Sequence, residues 1–111
     1  MNLLQAVNDD PETITFPQVI AYIDARYDFT PTRFTNGTTV NEAGQTNGSC
    51  KVVYFAKLNR LTVEQTLALF GDYYRIDVLG NPKGTDHQNI RNFIVSGWEG
   101  IRFDGEALTA K

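Results

Sequence analysis

Cys50 and His87 are the single thiol and the single imidazole in this 111-residue chain, and they supply its one obvious nucleophile and its one obvious base near neutral pH. Ser49 reads as an N-cap, which places Cys50 in the first turn of a helix, where backbone N–H groups stabilise a thiolate. Thr85 and Gln88 have capping-box spacing, which places His87 in another first turn. The helix dipole there disfavours protonation and leaves a neutral imidazole. Asn89 or Asn92 could orient that ring. The set Cys50, His87 and Asn89 therefore reads as a small hydrolase or transferase site. The competing reading makes Cys50 a small buried hydrophobe and His87 a hydrogen-bonded structural residue, the commoner fate of a lone cysteine. Spacing alone does not bring the two together.

Two polar groups of residues surround this pair. Tyr73, Tyr74, Arg75 and Asp77 lie shortly before Asp86, His87, Asn89, Arg91 and Asn92. Across a turn from Gly80 to Gly84 their polar faces could meet. Arg75 and Arg91 would then bind an anion while Asn89 and Asn92 read polar groups. Alternatively, the same residues form a paired structural network. The second group is the segment from Asn36 to Gly48, with Asn36, Asn41, Glu42, Gln45 and Asn47. Asparagine closes local turns, but a long polar loop is also where binding residues gather. Glu42 is its one carboxylate, which argues against a hard metal. The aromatic set Tyr22, Tyr27, Tyr54, Phe55, Phe70, Tyr73, Phe93 and Trp98 falls at core spacing. Gly44 and Gly48 lack the context of a phosphate loop.

Composition narrows the function classes. Ten Lys+Arg against 13 Asp+Glu give a net charge of −3, the opposite of the basic field nucleic-acid binders carry. One Cys excludes an internal disulfide, and one Cys with one His excludes ordinary structural zinc. No apolar run reaches the roughly 18–20 residues that cross a bilayer. Residues 1–7 lack the basic start of a signal peptide. Neither a cofactor nor a metal is expected.

The elements that position these residues follow from caps and periodicity. Leu3, Leu4 and Val7 suggest a short amphipathic turn. Thr15 with Gln18 and Pro17 opens a helix whose stripe is Phe16, Val19, Ile20, Ile23 and Tyr27, ending at Thr30-Pro31. Phe34–Thr39 carries the Asn36-Gly37 hairpin signal. Cys50–Leu58 reads as a buried helix, apolar nearly all round. Thr62 and Gln65 cap a helix through Val63, Leu67, Phe70 and Tyr74 that continues to Leu79, with Gly80 after it. Thr85 opens the last helix, with Asp86 against its dipole and Ile90, Phe93 and Ile94 inward. Ile101–Gly105 reads as a strand pairing near Phe34–Val40. The expected fold is α+β and mainly α: about four helices in one small domain with a two- or three-stranded β element. Residues 1–14 form an N-terminal segment, 15–105 the domain and 106–111 a tail.

One set of blocks is recognisable. It comprises Pro31-Thr32-Arg33-Phe34, Asn36-Gly37, Asn41-Glu42-Ala43-Gly44-Gln45, Gly48-Ser49-Cys50-Lys51 and Leu67-Ala68-Leu69-Phe70-Gly71. It continues with Tyr73-Tyr74-Arg75, Val78-Leu79, Asp86-His87-Gln88-Asn89-Ile90-Arg91-Asn92-Phe93 and Gly97-Trp98-Glu99-Gly100-Ile101 with Phe103. Together they resemble the HopJ type III effector family over about residues 15 to 105. The resemblance implies a bacterial domain and carries no catalytic residues across. The expected function is a non-enzymatic binding or interaction domain, and the Cys50/His87 enzyme is the alternative. Its candidate ligand contacts are Asn36, Asn41, Glu42, Arg75, Asp86, His87, Asn89 and Arg91. The partner is a protein or a small polar ligand, not nucleic acid or membrane. The chain is expected to be a monomer in the cytoplasm, or secreted by a type III system if it is a true effector.

Overall fold

The caps decide where the helices start in the computed structural model, which describes residues 2–111. Asn2 caps α1, Leu3–Asp9, a helix that buries Leu3 and Val7. A single turn at Pro11–Thr13 leads to Thr15, whose hydroxyl accepts from the Gln18 N–H at the start of α2, Phe16–Arg26. This helix stops short of Thr30. Tyr27–Phe29 forms strand β1 instead, because it pairs antiparallel with a strand at the C-terminus, Leu108–Ala110. The segment expected as a tail is thus a strand, with Ala107 and Leu108 in the core. The N-terminal segment packs there too, through Leu3 and Val7.

The Asn36-Gly37 hairpin is present. Strands β2, Phe34–Asn36, and β3, Thr39–Asn41, pair around Gly37, whose φ of 61° suits the turn. A further strand, β4 at Ile101–Phe103, pairs with the other edge of β2 and sets Phe34 against Phe103. The C-terminal strand Leu108–Ala110 is β5. Two antiparallel sheets result, ordered β1-β5 and β3-β2-β4.

Helix α3, Asn47–Leu58, forms the centre, with Cys50 through Ala56 buried apart from Lys51. Full burial of Val52, Val53 and Phe55 contributes roughly 1.5–3 kcal/mol each. The helix starts two residues before the expected Ser49 cap; Thr46 precedes it without capping it, its hydroxyl donating to Asn41 Oδ1 instead. Helix α4, Val63–Ala68, has the full Thr62–Gln65 capping box. The long helix expected to Leu79 is broken at Gly71, where φ is +61°. A Cβ there would sit 2.9 Å from the Phe16 nitrogen, so the close approach of α2 demands glycine. A π-helical turn at Tyr73–Val78 follows.

Helix α5, Gln88–Ser96, departs most from expectation. His87 is its N-cap in the left-handed region, with φ 50°, and no side chain caps the helix. The Thr85 box does not form. Gln88 reaches back to the Thr85 carbonyl instead, at 2.7 Å. Ile90 and Phe93 face inward, but Ile94 is exposed. The Trp98 indole donates to the Leu61 carbonyl at 2.9 Å and meets Phe93 edge-on. The fold is α+β and mainly α, with four helices of seven or more residues and small antiparallel sheets. Among the described residues, no helix is long and apolar enough to cross a membrane.

Candidate functional site

The hairpin is fastened to α5 by carboxamides. The Asn36 side chain donates to the Asn89 carbonyl at 2.8 Å and to Asn89 Oδ1 at 3.0 Å. Asn41 donates to Asn89 Oδ1 at 3.0 Å, and Asn89 returns a bond to Asn41 Oδ1 at 2.9 Å. The Thr46 hydroxyl donates a second bond to Asn41 Oδ1, 2.9 Å long. One turn on, Asn92 donates to the Asn36 carbonyl and to Thr39 Oγ1. Asn36, Asn41 and Asn89 are all buried, so this network replaces water they would otherwise need. Asn36 Oδ1 is the one buried side-chain oxygen without a partner among the described residues.

Beside it runs a chain of ionisable groups. His87 Nε2 lies 3.0 Å from Asp77 Oδ2 and 3.9 Å from Asp86 Oδ2. Its ring centroid is 5.0 Å from that of Tyr73. Asp86 is bound in turn by the Arg91 guanidinium, whose hydrogen bond pulls its carboxyl below the usual range. Arg91 also donates to the carbonyls of Asp86, at 2.6 Å, and Asn81, at 2.9 Å. Its donors are therefore largely occupied within the protein.

These two groups flank a cleft of about 550 Å³, within the usual size of small-molecule sites. One wall is aromatic: Phe16, Phe70, Tyr73 and His87, with Phe16 packed on both Phe70 and Tyr73. The other sides carry Thr39, Val40 and Asn41 of β3, Gln45 and Thr46 of the loop, Gly48 and Ser49 of α3, and Gln88, Asn89 and Ile90 of α5. The first turns of α3 and α5 both line the cleft, and neither has a side-chain cap. Such turns leave backbone N–H groups for an acceptor.

The sequence candidates are distributed unequally. Asn41, His87 and Asn89 line the cleft, and Asn36 braces it through Asn89. Asp86 and Arg91 stand behind His87 as a pair. Glu42 points to Arg33, 3.4 Å away, and is not a lining residue. Arg75 turns away altogether. Its guanidinium holds the carbonyls of Pro11 and Ile14, at 3.1 and 2.6 Å, and Asp72. An anion site shared by Arg75 and Arg91 is not formed. Tyr73, expected in the core, is 44% exposed and forms cleft wall.

Cys50 is 3% exposed, and its Sγ faces the Thr32 carbonyl at 3.6 Å. Burial pushes its pKa up, the reverse of an activated nucleophile. His87 meets Asp77, not Cys50. Phe16, Thr46 and Ser49 also line the cleft, although in the sequence Phe16 reads as core stripe, Ser49 as a helix cap, and Thr46 carries no signal. Each sits at a helix start, and those starts converge only in three dimensions. Among the described residues, no group of three or more His, Cys, Asp or Glu side chains is placed to hold a metal ion.

A family model described as HopJ type III effector protein matches residues 1–108. A crystal structure of VPA0580, described as a protein of unknown function, is similar at 56% identity with a TM-score of 0.96. The match covers 97% of this chain and 90% of that one. No curated protein matches.

Proposed function

This chain belongs to the HopJ type III effector protein family, and from that premise we propose that it is a non-enzymatic binding domain taking a small, polar, uncharged ligand into the cleft between β3, α3 and α5. The observation that carries this reading is the pairing of an aromatic wall with a donor-rich floor. An amide nitrogen has two hydrogens to give. Asn41 and Asn89 each spend one on the other, leaving one each for a ligand. Together with the uncapped turns of α3 and α5, they ask for carbonyl, hydroxyl or ring-nitrogen acceptors. The flat faces of Tyr73 and His87 ask for a ligand with a planar or sugar-like face.

Charge argues for neutrality. Arg91 and Arg75 are engaged by protein carbonyls and carboxylates, and His87 is flanked by Asp77 and Asp86. A fully charged anion would find no free guanidinium there, and a cation no open carboxylate cluster.

The test is a thermal-shift screen of neutral metabolites against the parent and Ser49→Tyr, in which the new ring fills the cleft. A true ligand raises the parent's melting temperature by mass action and leaves the variant unmoved. A shift of equal size in Ser49→Tyr would place the ligand elsewhere.

The family description favours a second reading, in which the partner is a host protein and the chain is delivered by a type III system rather than kept in the cytoplasm. A translocation-reporter fusion in a bacterium with an intact secretion apparatus tests it. Signal that persists when the apparatus is deleted would exclude that route.

A further inference from the structure

At the opposite end of α3, Lys57, Arg60, Leu61, Trp98 and Ile101 surround a second cavity of about 330 Å³. It shares no lining residue with the cleft. Its floor is apolar and fixed in place. Leu61 is buried, and Trp98 is pinned by its bond to the Leu61 carbonyl and by the ring of Phe93 at 5.0 Å. Its rim is cationic. Arg33, Lys51, Arg75 and Arg91 each pair with a carboxylate, whereas among the described residues Lys57 and Arg60, like Arg26, Lys83, Arg102 and Lys111, form no ion pair; Lys57 and Arg60 are the two of these that flank an apolar cavity together. Lys57 lies instead 5.5 Å from the Tyr54 ring and 5.7 Å from that of Phe103.

Arg60 is also an unusual residue for its position. The Leu61 N–H bonds the Ala56 carbonyl, and the Arg60 N–H bonds that of Lys57. This is a Schellman ending, whose left-handed residue is commonly glycine. Arg60 fills it with φ 54°. The chain thus accepts a disfavoured backbone conformation for arginine at a residue that lines the cavity.

We infer that this cavity is a binding site for a small carboxylate with a flat apolar body, the apolar part lying against Trp98, Leu61 and Ile101 and the carboxylate meeting Lys57 and Arg60. Charge complementarity selects the occupant. The protein carries a net charge of −3, yet here an apolar hollow is edged by two cations without acidic partners. An arginine fork and a lysine ammonium together match a carboxylate, and an indole ring with aliphatic neighbours matches a hydrocarbon or aryl group.

Trp98 is the chain's single tryptophan, so its fluorescence reports from the wall of this cavity. The experiment titrates the full chain with hydrocinnamate, with the corresponding neutral alcohol and with inorganic phosphate. Hydrocinnamate should give a saturable change, and the alcohol should bind roughly tenfold more weakly or worse, as expected for loss of a charge-assisted bond. Phosphate alone should give no saturable change. Arg60→Gly should weaken hydrocinnamate by a similar factor with an unchanged or raised melting temperature, because glycine suits that backbone position. Misfolding therefore cannot account for the loss, and Lys57→Gln supplies an independent variant. The inference is overturned if hydrocinnamate gives no saturable response, if the alcohol binds as well, if phosphate competes as strongly, or if Arg60→Gly binds like the parent.

Discussion

Asn41 and Asn89 bond to each other in both directions, Asn89 Nδ2 to Asn41 Oδ1 at 2.9 Å and Asn41 Nδ2 to Asn89 Oδ1 at 3.0 Å. The pair ties the hairpin to the start of α5 across 48 residues of sequence, and both side chains are buried. Removing one amide strands the other. Asn89→Ala leaves Asn41 and the Asn36 amide short of partners, and an unsatisfied buried polar group costs about 1–3 kcal/mol. Asn89→Ala should therefore lower stability by roughly 2–4 kcal/mol, read as a drop in the urea midpoint. A midpoint within error of the parent would show that water replaces the bonds freely.

The two threonines at capping-box spacing should behave differently. Thr62 accepts from the Gln65 N–H at 3.1 Å, and Gln65 answers to the Thr62 N–H at 2.9 Å. Thr62→Ala should cost about 1 kcal/mol. Thr85 has the same spacing to Gln88 but offers only its carbonyl. Thr85→Ala should stay within about 0.5 kcal/mol, as for an exposed site without a specific role. Paired denaturation curves check both, and an equal loss in the two variants would contradict the His87 cap.

That contrast marks what the sequence could disclose. Helices announced by caps and a clean stripe were legible: α2 from Thr15, α4 from Thr62, and α3 from its apolar run. The hairpin was legible from Asn36-Gly37, and the strand at Ile101–Phe103 from its alternation. The break at Gly71 was hidden, because Val63, Leu67, Phe70 and Tyr74 keep helical spacing across it. What requires glycine there is the backbone of Ile14 to Phe16, which a side chain would strike and which lies far away in sequence. The strand at Leu108–Ala110 is three residues long, too short for a period, and depends on Tyr27–Phe29 for its bonds. For the site, the Asn and His residues stood out by type. The cleft did not, because its wall is drawn from α2, the π-helical turn and α5, which meet only after packing.

Acid should act through Asp86. Its hydrogen bond with Arg91, first, and the nearby charges hold the folded-state pKa below that of an ordinary aspartate. A depressed carboxyl pKa stabilises the fold above the ordinary value, and that contribution is lost as pH falls through the folded value. Stability should therefore decline on acidification below the ordinary aspartate range. Asp86→Asn should flatten part of that decline while leaving the neutral-pH fold intact. Urea midpoints across an acid series measure it, and identical slopes in parent and variant would assign the acid limb to other carboxylates.

Cys50 distinguishes a structural thiol from a catalytic one. It is 3% exposed, donates to the Thr32 carbonyl, and is pushed by burial towards the neutral form. Alkylation needs a thiolate in contact with solvent, so reaction in the native protein must pass through an opening of the fold. Iodoacetamide at neutral pH should modify Cys50 at least on the order of a hundredfold more slowly in native than in unfolded protein. The linkage has a definite sign. A folded pKa above the unfolded one gives stability that is full below the ordinary thiol value and lost as pH rises through the folded value. Mild denaturant should therefore speed alkylation, and alkaline pH should add to the effect by weakening the fold as well as by ionising the thiol. Cys50→Ala should lower stability yet leave ligand binding in the cleft unchanged. Native alkylation at the rate of a free, low-pKa thiol would contradict this burial and favour Cys50 as a nucleophile.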